Sequence, residues 1–261
     1  MSNHRTFEDG FLVQSVDRAV AAMEILARRG QAKVTEVAGE LGVHKSTAFR
    51  LLSTLEARGL VEQDGDRGRY RLGFGVVRLA GAATGRLELN RYSRPVCERL
   101  AERTGETVNL AVHDGDHVIN IEQVMGSASV MSVNWVGRRT PLHATASGKV
   151  FLAYLPAAEL AAFLTDPLAR FTQHTVVDPE RLHEQLGAVR ADGYASSIEE
   201  LEIGLNAVAT PVRSVDGAVV AAVSMSGPAY RITPARIAEF GGLVKAAGEA
   251  ISQRIGFQTA G

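Results

Sequence analysis

Residues 44–50, HKSTAFR, place Lys45, Ser46, Thr47, Phe49 and Arg50 within two turns of one expected helix. Cations and short hydroxyls on one face suit one chemistry. Lys and Arg meet phosphate, Arg can also fork onto a guanine edge, and Ser or Thr lets a backbone approach closely. A merely solvated face would more often set Glu beside Lys, and here Glu56 appears only at the far end. Further on, Arg67, Arg69 and Arg71 add three cations to GDRGRYRLG, a segment fit to lie along a sugar–phosphate backbone.

Other chemistry-bearing groups fail on spacing. HDGDH, residues 113–117, crowds two His with two Asp, but Asp114–Gly115 reads as a turn and neighbouring strand residues point to opposite faces, so no metal ligand set converges. SGKV has only the Gly–Lys of a phosphate loop: His143 stands where its first glycine belongs, and Val150 replaces the Ser/Thr. SMSG lacks the glycine before Ser224 that a nucleophile elbow needs, with no His–acid pair evident for it. Cys97, at the edge of an apolar helix stripe, reads as buried and inert. No catalytic residue, metal or cofactor is expected.

The elements that must carry the cations follow from periodicity. QSVDRAVAAMEILARRG reads as a helix capped by Ser15, with Val16, Ala19, Val20, Met23, Leu26 and Ala27 inward and Ile25 off the stripe. KVTEVAGELGV is a short helix opened by Thr35 and closed by Gly42. The cationic helix follows after almost no loop and buries Ala48, Leu51, Leu52 and Leu55, ending at Gly59. LVEQ and RYRLG around DGDRG make a hairpin. Helix, helix–tight turn–helix and hairpin, in that order, spell a winged helix-turn-helix, whose second helix enters the major groove of double-stranded DNA.

Beyond it, residues 74–88 read as a small-residue linker helix, and a helix burying Leu89, Tyr92, Val96 and Leu100 follows. The pattern then changes to period two around Val108, Leu110 and Val112, with SVMSVNWVG as a third strand candidate and a hairpin turned at Val215–Gly217. Helices start near PLHATASGK, PAAELAAFL and DPERLHEQL, and a last one is capped by Thr233 with Pro234 at its first position. The second half is therefore an antiparallel sheet with flanking helices, and the whole chain is α+β: residues 11–73 the DNA-binding domain, 74–88 a linker helix and 89–256 the sheet domain.

Length and composition agree. The 261 residues exceed the usual single domain, the net charge is −1, and residues 44–78 still hold seven basic against four acidic side chains. One cysteine, no long apolar run and a polar, acidic start point to a cytoplasmic protein away from membranes.

The segments VQSVDRAV, VTEVAGELGVHKSTAFRLLSTLEARGLVEQ, GRYRLG, PLHATASGKVFLAYL, EELEIGLNAVATPV and AAVSMSGPAYRITPARIAE resemble the IclR family of transcription regulators over residues 11–253. The resemblance implies a homodimer, with pairing into a dimer of dimers left open. It also implies an operator of pseudo-palindromic half-sites, a repressor or activator output with the repressor favoured, and a GAF-like domain that binds a small organic acid. By the same resemblance the effector pocket falls on Ser132 and Asn134 along one strand, on the backbone amides of Ala146 and Ser147 at a helix start, and on Ser197, Ala207, Ser224 and Ser226. Ser132, Ser197 and Ala207 depart from common family residues, so the pattern does not name the ligand. The rival reading is an enzyme acting on a small molecule, with an accessory DNA-binding domain.

Overall fold

The computed structural model describes residues 13–64, 68–82, 85–128 and 134–257, in two compact units that divide between Thr84 and Gly85.

The first unit opens with α1 (Gln14–Arg29), β1 (Ala32–Lys33), α2 (Val34–Leu41) and α3 (Lys45–Ala57). It continues with β2 (Val61–Asp64), β3 (Arg69–Leu72) and α4 (Phe74–Ala82). The strands form an antiparallel sheet in the order β1-β3-β2. Its core joins Ala22, Ile25 and Leu26 of α1 to Val37, Leu52, Leu55, Val61 and Tyr70. The α1 stripe is thus rotated from the expected one. Ile25 is buried, whereas Val16 and Val20 are exposed at 60% and 45% and Ala27 is also exposed. AAMEILA is apolar around more than half of its circumference, and packing, not periodicity, chose the arc. Neither expected cap operates there: Val13 precedes α1 without a side-chain cap, and α2 starts after Lys33, whose amide donates to Glu36 at 2.7 Å.

The second unit begins with α5 (Gly85–Thr104), which takes in residues 85–88 of the expected linker. Then come β4 (Thr107–Asp114), β5 (His117–Val124), β6 (Arg139–Pro141), α6 (Ala146–Ala153), α7 (Ala157–Phe163) and α8 (Pro179–Asp192). The last elements are β7 (Ala195–Ile198), β8 (Leu205–Arg213), β9 (Val219–Pro228), a 3-10 turn at Pro234–Arg236 and α9 (Ile237–Arg254). The six strands run antiparallel in the order β6-β5-β4-β9-β8-β7.

Both faces of this sheet are covered. On one, Val108, Leu110, Val223 and Met225 meet Val96, Cys97 and Leu100 of α5 and Phe240, Val244 and Ile251 of α9. On the other, the small Ala111, Ala209 and Ala222 let Val150, Phe151 and Leu152 of α6 pack close, with Leu182 and Leu186 of α8 behind. On α5 the buried line runs through Ser93, Val96, Cys97 and Leu100, leaving Tyr92 39% exposed against expectation. Thr233 precedes the 3-10 turn and makes no side-chain cap bond. Residues 129–133 of the third strand candidate lie outside the described residues, and 134–138 are loop apart from one bridge at Val136. No helix among the described residues is long and apolar enough to cross a membrane.

Candidate functional site

Two places concentrate functional chemistry. The first is α3. Gly42, at φ 65°, turns the chain sharply after α2, so α3 starts three residues later with the two helices in contact. Ala48, Leu52 and Leu55 are buried, with Leu51 half-buried, and the opposite face is open: Lys45, Ser46, Phe49, Arg50 and Thr54 are exposed and Thr47 half-buried.

His44, which sequence reasoning passed over, caps this helix. Its Nδ1 accepts from the Ser46 amide at 3.4 Å and lies 2.9 Å from the Ser46 hydroxyl. Ser46 therefore helps organise the helix start, besides facing outward. Lys45, Arg50 and Arg69 have no acidic partner among the described residues, whereas Arg71 is paired with Glu62 at 2.7 Å. Arg28 and Arg29 are likewise tied, both to Glu40. Lys45 and Arg50 thus stand on α3, and Arg69 on β3, without an ion pair, as do Arg18, Lys33 and Arg58 elsewhere among the described residues of this unit. Phe49, 53% exposed, adds an apolar tip of the kind that meets a thymine methyl. Arg67 lies outside the described residues.

The second place is a cavity of about 60 Å³ between the start of α6 and the inner ends of β4, β5, β8 and β9. Leu142 and Gly148 set the helix start. A Cβ on Gly148 would stand 2.2 Å from the Leu142 carbonyl oxygen, so only glycine allows this approach. Thr145 caps α6: its hydroxyl donates to Pro141 O at 2.8 Å and accepts from the Gly148 amide at 3.1 Å. The next amides, of Ala146 and Ser147, make no backbone hydrogen bond among the described residues and are free to donate, as expected of the first turn of a helix.

The cavity is lined by Ala146, Ser147, Ala207, Ser224 and Ser226, which sequence reasoning named, and by Asn109, Asn120, Thr140, Thr145, Trp135, Leu201 and Leu205, which it missed. Ser224 lies opposite Asn109 in the β4–β9 ladder, and Asn109 Nδ2 donates to Ser226 Oγ at 3.4 Å. One signal for Asn109 was available. β4 is buried on both faces, and a polar residue inside such a strand needs a reason.

Two expected pocket residues fall elsewhere. Ser197 is buried but turned away, its hydroxyl donating to Ala144 O at 3.0 Å. Asn134 is exposed in a loop, its Oδ1 accepting from the Val136 amide at 3.0 Å, and does not line the cavity. The alternation rule assumed a strand that the described part of this segment lacks. Ser132 lies outside the described residues.

Beneath the cavity Lys149, 1% exposed, meets Glu200 at 2.5 Å and donates to Ser196 O at 3.2 Å. Burial is the main cause of its depressed pKa, and the Glu200 carboxylate opposes it. The hydroxyls of Thr172 and Thr175 hold the carbonyls of Glu199 and Glu200 at 2.7 Å each. The segment carrying Leu201 over the cavity is thereby fixed. Glu199 itself sits at φ 52°, a strained position for a non-glycine residue.

The residues of HDGDH are occupied separately. His113 stacks on Phe151, Asp114 pairs with Arg139 at 2.9 Å, and Asp116 with His117 at 2.6 Å.

A winged helix-turn-helix beside a unit with a small donor-rich cavity defines a ligand-sensing, DNA-binding regulator. Comparison with known proteins narrows the class. The IclR helix-turn-helix domain matches residues 15–65, and the C-terminal domain of the bacterial transcriptional regulator IclR matches residues 81–253. The chain is 34% identical to the HTH-type transcriptional regulator XynR of Escherichia coli (strain K12), over 94% of this chain and 98% of that one. It is 36% identical to the HTH-type transcriptional repressor AllR of Klebsiella pneumoniae, over 94% and 91% of the two chains. The Thermotoga maritima IclR structure superposes with a TM-score of 0.78 at 31% identity, covering 94% of this chain and all of that one. A complex of an IclR homolog from Microbacterium hydrocarbonoxydans with 4-hydroxybenzoate gives 0.81 at 27%, covering 92% and 98%. The chain belongs to the IclR family of bacterial transcriptional regulators.

Proposed function

We propose that this regulator binds a pseudo-palindromic operator as a homodimer, represses transcription from it in the cytoplasm, and is controlled by a small carboxylate held in the α6 cavity. The observation that carries the reading is the open face of α3, where Lys45, Phe49 and Arg50 are exposed opposite a buried Ala48–Leu52–Leu55 stripe. Lys45, Ser46, Thr47, Phe49 and Arg50 are the groove-facing set, and Arg67, Arg69 and Arg71 the backbone-facing set of the wing. Repression is the output named for the AllR relative.

Support for a second copy comes from apolar surface that the first unit leaves uncovered. Val16 and Val20 lie one turn apart on α1 with Val13 just before it, all three exposed, and Phe74, Val77 and Leu79 of α4 are exposed at 83%, 64% and 58%. Support for a carboxylate comes from the free amides of Ala146 and Ser147 with the hydroxyls of Ser147, Ser224 and Ser226. The 4-hydroxybenzoate bound by the Microbacterium relative is itself a carboxylate. Among the described residues the cavity lining holds no titratable side chain to serve general acid–base turnover, which supports the regulator over the enzyme reading.

Arg50→Ala should weaken binding to the chain's own promoter by roughly 5- to 150-fold, the equivalent of about 1–3 kcal/mol for one bidentate base contact. Gel shift measures it and size-exclusion chromatography checks that the dimer persists. An unchanged shift overturns the assignment of α3.

A further inference from the structure

We infer that Asn109 reads a hydroxyl on the effector, and that the effector is a small 2-hydroxycarboxylate of the size of glycolate or lactate. The inference rests on the proposed reading of the α6 cavity and goes one step into it.

Two observations carry it. The first is an unmatched acceptor. Asn109 is 5% exposed, its Nδ2 donates to Ser226 Oγ at 3.4 Å, and its buried Oδ1 has no hydrogen-bond partner among the described residues. A carboxylate fixed on the Ala146 and Ser147 amides consumes donors and leaves this acceptor unanswered. The remaining group on the ligand must therefore donate, and a hydroxyl on the carbon next to the carboxylate is the smallest group that does so.

The second observation is space. A water-sized group needs about 10–15 Å³ measured in this way, so about 60 Å³ admits about four to six non-hydrogen atoms. Glycolate and lactate meet that bound, and an aromatic acid exceeds it. Leu201, Leu205 and Trp135 supply the apolar side of the cavity, which suits the methyl of lactate.

The geometry explains why Asn109 and not a neighbour does the reading. Ser224 sits beside it in register on β9, and the Ser226 contact holds the amide plane so that Oδ1 is the free end. The serines can donate to or accept from any ligand oxygen, whereas an orphan carbonyl oxygen accepts only. A site built to bond a hydroxyl penalises the analogue lacking it, because its own polar group is then left buried and unpaired.

Titration calorimetry on the full-length protein tests this with three acids matched in size: lactate, pyruvate and propionate. Lactate is expected to bind at least tenfold more tightly than either of the others. In Asn109→Ala and in Asn109→Val that preference is expected to fall below threefold, through a loss of lactate affinity larger than any change in propionate affinity. Thermal melts verify that each variant is folded, and the wild-type comparison stands without them.

Equal binding of the three acids by the wild type overturns the Asn109 inference and leaves the cavity reading intact, provided that Ser224→Ala with Ser226→Ala weakens all three. Binding of 4-hydroxybenzoate with no binding of lactate overturns the size bound. Acid binding that the double serine variant does not alter overturns the cavity reading itself.

Discussion

The face of α3 and the cavity at α6 are opposite kinds of site. The first is assembled by consecutive residues in the first two turns of one helix, its function carried outward by exposed side chains such as Lys45, Phe49 and Arg50. The second is drawn from β4, β5, the start of α6, β8 and β9, and its function is carried inward by amides and hydroxyls that few local patterns announce. A surface site can be exchanged residue by residue with little cost to the fold. A buried one shares its residues with the core, so its substitutions disturb stability as well as binding. Three experiments would break or sharpen this contrast.

The largest effect is expected beneath the cavity. Lys149→Met should destabilise the second unit by about 3–5 kcal/mol, because it strands the Glu200 carboxylate in a buried place. Lys149→Met with Glu200→Leu should recover most of the loss. Urea denaturation of single and double variants measures this, and a double variant no better than the single one would show that the pair's charge is not the issue.

Next comes the contrast within α3 itself. Leu52, fully buried, should cost about 2–5 kcal/mol when replaced by Ala. Phe49→Ala, on the open face, should stay within about 0.5 kcal/mol and lower operator affinity instead. Comparable melts for the two variants would mean that Phe49 is packed in solution.

The smallest effect concerns His143, which lies just before α6 and is 4% exposed. Burial pushes its pKa below the usual 6.5, against the opposing influence of its 2.8 Å contact with Ala169 O. The fold favours the neutral ring, so its contribution is complete above the unfolded value and is lost as pH falls through the folded one. Between about pH 7 and 5 the wild type should therefore lose more stability than His143→Gln, while the two behave alike above about pH 7.5. Parallel melting curves across that range would remove His143 as the cause.

The same contrast governs what could be read from the chain alone. α3 was legible because Ala48, Leu52 and Leu55 repeat at helical spacing beside a block of polar residues, and Gly42 marks the turn before them. The β8–β9 hairpin and the β4–β5 pair announce themselves by alternation and by Asp–Gly turns. β1, β6 and β7, of two, three and four residues, are too short to carry a period and exist only because neighbouring strands offer them partners. The α1 stripe was misplaced because its apolar residues exceed what one face can bury. In the cavity, Ser224 and Ser226 were reached through family resemblance. Asn109, Asn120 and Thr140 were not, since only the register of β4, β5 and β6 brings them together.

Cys97 has a practical consequence. It is the sole cysteine of the sequence, lies fully buried between α5 and the sheet, and burial pushes its thiol up to about 12. A thiol in that state is silent toward alkylating reagents until the helix lifts away. The chain thus carries an intrinsic clock for one local event: the rate at which a maleimide labels it reports how often α5 detaches, with or without ligand, in an unmodified protein.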